Sequence, residues 1–161
     1  MKAITIYQPW ASLIASGAKR FETRSWPTKH RGRIAIHAGM TPAHELDRQT
    51  RDAIATAFGW PPGMDIAPYI RDLPRGAVIA TADLVDCWEI AAVESINGRI
   101  TNAFVSKPPG VERVTQQDLL LGEWSIHRYA WELANVEILP QPVPVRGKQG
   151  LWNWEGASHE N

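Results

Sequence analysis

A single cysteine, Cys87, among 161 residues excludes an internal disulfide and any multi-cysteine zinc site. The chain can do without either. A domain of this length buries roughly 68–70% of its unfolded surface, enough for one hydrophobic core, and the chain is too short for two full domains. The scarcity of thiols also fits a reducing compartment. Long apolar runs are missing, and the opening Met-Lys-Ala-Ile-Thr-Ile-Tyr reaches Gln8, Pro9 and Trp10 before one can build. Neither a signal peptide nor a membrane span is therefore expected. These absences point to a soluble, cytoplasmic protein with one domain over residues 1–155 and a flexible tail over 156–161.

An excess of charge of either sign is also lacking: 17 basic and 17 acidic residues give a formal net charge of zero. Taken alone, that argues against a generic polyanion binder. The average conceals a gradient. Residues 1–33 hold Lys2, Lys19, Arg20, Arg24, Lys29, Arg31 and Arg33 against one acid, Glu22, so this segment carries +6 and the remainder −6. What the chain has in quantity is tryptophan, eight residues in all. An indole buries a large area yet carries an N–H that needs a partner, so it suits places where an apolar wall meets a polar pocket.

Residues 2–7 alternate with β-branched enrichment and predict a strand, and Trp10, Leu13 and Ile14 predict a short helix over 9–16 stopped by Gly17. From Arg20 the alternation returns, with Arg20, Glu22 and Arg24 on one face and Phe21 and Thr23 on the other. Residues 33–38 predict another strand. Thr41 and Pro42 read as the N-cap and first residue of a helix running to Gly59, and residues 76–86 as a long buried strand. Residues 91–118 are weakly patterned and read as an irregular excursion with one or two short helices. Residues 128–139 predict a late strand whose apolar phase slips near Ala134 and Asn135, the mark of a β-bulge. Pro140, Pro142 and Pro144 read as a breaker before Gly147-Lys-Gln-Gly150 and a closing Leu-Trp-Asn-Trp154. About five or six strands with helices inserted between them describe an α+β class and a small mixed β-barrel.

Motifs of several common chemistries are missing. There is no Walker loop, dinucleotide glycine fingerprint, Gly-x-Ser-x-Gly elbow or His-Glu-x-x-His. His30, His37, His44, His127 and His159 have no ligand spacing, so no metal site and no cofactor are expected. Cys87 sits in an apolar strand end and reads as an inert packed thiol. What remains is Gln8-Pro9-Trp10 followed by Gly17-x-Lys19-x-x-Glu22-x-Arg24. With Tyr129-Ala-Trp-Glu-Leu133 and Gly147-Lys-Gln-Gly-Leu-Trp152, this pattern resembles the ASCH (activating signal cointegrator homology) domain family over most of the chain.

The resemblance implies a PUA-like β-barrel with a cleft beside the first helix, lined by the motif residues. It implies RNA or modified-nucleotide binding, with nuclease activity in some bacterial members and hydrolysis of N4-acetylcytidine in a small subgroup. The residue types fit such a cleft. Arg24 can hold a phosphate or base edge bidentately, Glu22 can accept from the exocyclic amine of cytosine, and Trp10 and Trp26 can stack a base. Trp131 and Trp152 are expected in the core.

A hydrolase reading makes Lys19 the base or nucleophile, its pKa lowered by the like charges of Arg20 and Arg24. The carboxylate would be Glu22 or Glu123, which lies where the family often places an acid. The hydrolytic subgroup carries Thr where this chain has Glu22, and the neighbouring Thr23 is expected on the opposite face. Binding of RNA, a nucleoside or a nucleotide through Trp10, Lys19, Glu22, Arg24 and Trp26 is the leading expectation. A small amidohydrolase or ribonuclease is the alternative, and a protein-interaction module with a vestigial cleft is a third. No membrane partner is expected, and the oligomeric state stays open.

Overall fold

The computed structural model describes residues 1–42, 45–107 and 109–156. The expected flexible tail beyond Gly156, together with His44 and His159, lies outside the described residues. Among the described residues eight strands and four helices follow in the order β1 (Lys2–Gln8), α1 (Trp10–Ala15), β2 (Phe21–Arg24), β3 (Gly32–Pro42), α2 (Arg48–Ala57), α3 (Ala67–Asp72), β4 (Ala77–Ile96), β5 (Arg99–Lys107), β6 (Gly110–Arg113), α4 (Gln116–Leu120), β7 (Tyr129–Pro144) and β8 (Leu151–Asn153). Six strands form the main path β2-β7-β4-β3-β1-β8, and β5 and β6 branch from the far end of β4. The β1–β3 pair is parallel and the other pairs are antiparallel. This mixed sheet curls into a half-barrel. Its curvature lets the Arg24 side chain on edge strand β2 donate to the Thr5 carbonyl of β1, 2.7 Å away. No helix among the described residues is long and apolar enough to cross a membrane.

Apolar faces meet inside the curl. Ile4 and Ile6 of β1, Ile34 and Ile36 of β3, Leu84 of β4 and Trp131 of β7 pack with Ile14 of α1. The far side of α1 presents Leu13 to Ile54, Ile66 and Leu121, which docks α2 and α4 beside it. A third group gathers Phe21, Ile90, Val105 and Trp124 beneath the branch. Trp131 and Trp152 are both buried, as their strand positions lead one to expect.

Three expectations need correction. Thr41 and Pro42 do not open a helix: β3 continues through them, with Pro42 opposite Gln8. Its missing N–H is tolerated at a strand end. The helix begins instead behind Asp47, whose Oδ1 accepts from the Thr50 N–H at 2.7 Å. Most of residues 91–107 and 109–118 is regular strand, with one short helix, α4, as expected: β4 extends to Ile96 and turns back into β5 through Asn97 (φ 52°) and Gly98 (φ 77°), the left-handed pair of a two-residue hairpin. Much of this arm faces solvent, so its sequence lacks the period that burial imposes. The prolines of 140–144 do not end β7. They fall at a register shift, where Val78 pairs with Val143 and Ala80 with Ile138, beyond the reach of β2, which pairs only with residues 129–132. The bulge expected near Asn135 is present, with Asn135 at φ 48° and a register shift between Thr81 and Asp83.

Candidate functional site

Between α1, the β2 edge and the segment that follows β7 lies a cleft of about 1030 Å³. Gln8 builds one wall without touching it. This fully buried amide accepts from the Ser12 N–H (3.1 Å) and donates to Ser12 Oγ and the Pro74 carbonyl (both 2.8 Å). It thereby caps α1, which Pro9 cannot do with a side chain, and sets Trp10 on the first turn facing the cleft. Gly17, at φ 77°, reverses the chain in a conformation that costs a side-chain-bearing residue energy. The reversal returns Lys19 beneath Trp10, its ammonium 5.9 Å from the indole centre.

Lys19 is only 3% exposed. Its Nζ donates to the Phe21 carbonyl and lies 3.7 Å from Glu22 Oε2, while Arg24 Nε stands 3.3 Å from Glu22 Oε1. Glu22 is thus held 13% exposed between two cations. Neither contact has hydrogen-bond geometry, and Arg24 Nε is buried without a hydrogen-bond partner among the described residues. The carboxylate therefore keeps accepting capacity toward the cleft. Burial pushes the Lys19 pKa down from 10.5, against the opposing pull of Glu22 and Asp118, with Arg24 a small further push. Of the two like charges expected to lower it, Arg24 contributes only as the least of the causes and Arg20 does not contribute, so burial is what operates. Arg20 turns to the opposite side and pairs with Glu112 at 2.8 Å and Glu132 at 2.7 Å.

Trp10, Lys19, Glu22, Arg24 and Trp26 all line the cleft. Trp26 stands edge-on to Trp131 at 4.6 Å and accepts the Trp131 indole N–H on its carbonyl at 3.3 Å. Glu123 lines the same cleft, but its carboxylate is 73% exposed and pairs with Arg128 at 3.4 Å, apart from Lys19. Thr23, expected on the opposite face, also lines this cleft, and its hydroxyl accepts from the Glu123 N–H at 3.2 Å. Arg24 is less free than a bidentate phosphate grip demands, since it is committed to Glu22 and to the Thr5 carbonyl.

The basic segment of residues 1–33 does not form a basic surface. Arg31 pairs with Asp86 at 2.7 Å, and Arg33 with Asp83 at 3.4 Å and Glu137 at 2.8 Å. Acids from the rest of the chain thus pair with Arg20, Arg31 and Arg33, while Lys19 and Arg24 share Glu22 within the segment. The cleft itself mixes the cations of Lys19, Arg24, Arg128, Arg146 and Lys148 with Glu22, Glu45, Asp47 and Glu123. Arg128, Arg146, Lys148 and His37 escaped the sequence-based set. The sequence signal near two of them is the Gly147-Lys-Gln-Gly-Leu-Trp152 segment of the family resemblance, which contains Lys148 and follows Arg146. Among the described residues no three His, Cys, Asp or Glu side chains converge as a metal site requires. Cys87 is half-buried, and burial raises its thiol pKa.

A curled mixed half-barrel with helices inserted between strands, and a cleft beside its first helix, defines the PUA-like α+β class of domains. Residues 4–142 match the ASCH domain family, and the chain belongs to that family. It is 37% identical over 84 residues to activating signal cointegrator 1 of Homo sapiens and 38% identical over 85 residues to that of Mus musculus. Each match covers 52% of this chain and 14% of the relative, so the chain spans a small part of the curated relatives it matches.

Proposed function

We propose that the protein binds single-stranded RNA or a nucleotide through this cleft, taking one base against Trp10 and Trp26, with residues 1–155 acting as one domain. The observation that carries the proposal is Glu22: a largely buried carboxylate, fixed between Lys19 and Arg24, that receives no hydrogen bond from a described side chain. Holding a carboxylate this way costs desolvation that a structural ion pair rarely recovers. A base bearing an exocyclic amine supplies the missing donor. Stacking on an indole adds about 1–3 kcal/mol. Pairing of the basic segment with distant acids favours a local pocket over a charged groove, and membership of a family associated with RNA binding supports the same conclusion.

The test is fluorescence anisotropy of short single-stranded RNA against the wild type, Lys19→Ala/Arg24→Ala and Trp26→Ala at two salt concentrations. Trp26→Ala is expected to weaken binding roughly 5- to 150-fold, the equivalent of one lost stacking contact. The double variant is expected to bind more weakly still. Equal affinities across the three proteins refute the proposal.

One observation favours a second function, a small hydrolase acting on an N4-acylcytidine or on RNA. A buried lysine with a lowered pKa at the base of a cleft has the properties of a nucleophile or proton acceptor. Turnover of N4-acetylcytidine or labelled RNA that disappears in Lys19→Ala would establish it, and absence of turnover would reject it.

A further inference from the structure

The segment between β7 and β8 is a strap anchored at its start and in its middle. The Val145 N–H donates to the Gly76 carbonyl at 3.0 Å, and the Val145 carbonyl accepts from His37 Nε2 at 2.9 Å. The Lys148 carbonyl accepts from Thr5 Oγ1 at 3.0 Å, and Thr5 Oγ1 in turn accepts the Trp152 indole N–H at 3.2 Å. Because Nε2 of His37 is the donor, Nδ1 carries the lone pair. It is buried, with no hydrogen-bond partner among the described residues. Gly147 lies against that edge. A Cβ at Gly147 would stand 2.7 Å from Nδ1 and 2.9 Å from Thr5 Oγ1, so only glycine lets the backbone settle this deep.

Arg146 and Lys148 flank that glycine. Both are exposed and both line the cleft. They differ from the other cations there. Lys19 and Arg24 are committed to Glu22, and Arg128 to Glu123, whereas Arg146 and Lys148 form no ion pair among the described residues. The strap lies over β1 and β3, held by Thr5 and His37, whereas Glu123 and its partner Arg128 are tied to β2 through Thr23 on the other side of the cleft.

We propose that the Val145–Gly150 strap is the phosphate-holding wall of the cleft, with Arg146 and Lys148 as its contacts and with His37 and Gly147 as positioning residues that set its depth. This rests on nucleic-acid binding at the same cleft and adds to it the direction in which the ligand lies. The base enters toward Glu22 and the sugar-phosphate backbone runs along the strap. Each phosphate contact on a single strand contributes about 0.7 to the slope of log affinity against log salt.

The experiment measures that slope with a five-nucleotide oligocytidylate, and in parallel the affinity for cytidine, which has no phosphate. Arg146→Ala/Lys148→Ala, two surface changes outside the core, is expected to reduce the slope by about 1.4 and to leave cytidine affinity unchanged. Gly147→Ala is expected to reduce the slope in the same sense while removing no charge, because the added methyl lifts the strap off His37. A merely structural glycine would not move the salt slope. An unchanged slope in the double variant overturns the assignment of the strap while leaving base binding intact. Equal losses for cytidine and the oligonucleotide overturn it as well. Failure of the wild type to bind either probe overturns both the strap and the base-binding cleft.

Discussion

Glu22→Gln isolates the physical claim on which the cleft depends, that Lys19 is a buried charge compensated chiefly by one carboxylate. The two groups are 3.7 Å apart, with side chains 3% and 13% exposed. At an effective dielectric constant of about 20, unit charges at this separation attract by about 4 kcal/mol. Removing one partner of a buried pair costs about 3–5 kcal/mol, because the other is left uncompensated. Glutamine keeps the shape and one acceptor oxygen, which returns about 1 kcal/mol. The expected net loss is therefore about 2–4 kcal/mol at pH 7.

The loss has a pH signature. Burial already holds Lys19 below 10.5, and without the Glu22 charge it falls further. Between the folded and unfolded values the unfolded chain binds more protons, so the stability of the variant rises with pH across that interval. Urea denaturation at pH 7 and pH 9 should show Glu22→Gln recovering part of its loss at the higher pH. Lys19→Met, which leaves Glu22 beside Arg24, should show no such recovery at this site. The double variant should be no less stable than Glu22→Gln alone. A Glu22→Gln protein within about 0.5 kcal/mol of the wild type, the range of an ordinary surface change, would mean that Lys19 reaches water, and the picture of a buried charged pair would fall.

Two further outcomes follow from single residues. Burial holds His37 below 6.5, partly offset by its bond to the Val145 carbonyl. The unfolded chain therefore binds the extra proton first, and stability should decline as pH drops from about 6.5 until it levels off below the folded value. A denaturation series from pH 7 to pH 5 compared with His37→Gln checks this, and identical pH slopes in the two proteins would contradict it. Gly17 sits at φ 77° with no atom within 4 Å of the position a methyl would take, so Gly17→Ala should cost only the backbone term, about 1–2 kcal/mol. Thermal unfolding should register a drop of about 2–8 °C, and a melting temperature equal to that of the wild type would show that the turn opens at little cost.

Much of the half-barrel was legible locally. The alternation of residues 2–7 and 21–24 placed β1 and β2, and the phase slip near Asn135 marked a bulge that bends β7. Gly17 marked the stop of α1, and the two-residue period put Glu22 and Arg24 on one face. The β4–β5–β6 arm was not legible, because strands exposed on much of their surface need no alternation. The Thr41-Pro42 pair fits a helix start by residue type, and β3 claimed it only because β1 offered Pro42 a pairing position opposite Gln8.

At the site the division is sharper. Cleft candidates in residues 10–26 followed from motif and family resemblance; Lys148 lies in a later segment of the same resemblance, Gly147–Trp152, but with no periodicity there nothing placed it or Arg146 beside the cleft. The zero net charge and the +6 of residues 1–33 were facts of sequence. Their consequence was decided by Asp83, Asp86, Glu112, Glu132 and Glu137, which the fold carries to Arg20, Arg31 and Arg33 from elsewhere in the chain. The lowered pKa of Lys19 was likewise decided by the fold, through burial. By itself the sequence determined the alternation of faces within a strand, which follows from local backbone geometry, and so placed Glu22 with Arg24; it did not place Arg20, just before β2, which the fold turns to Glu112 and Glu132. Burial and charge pairing depend on which distant elements arrive beside each face, and only the tertiary structure decided them.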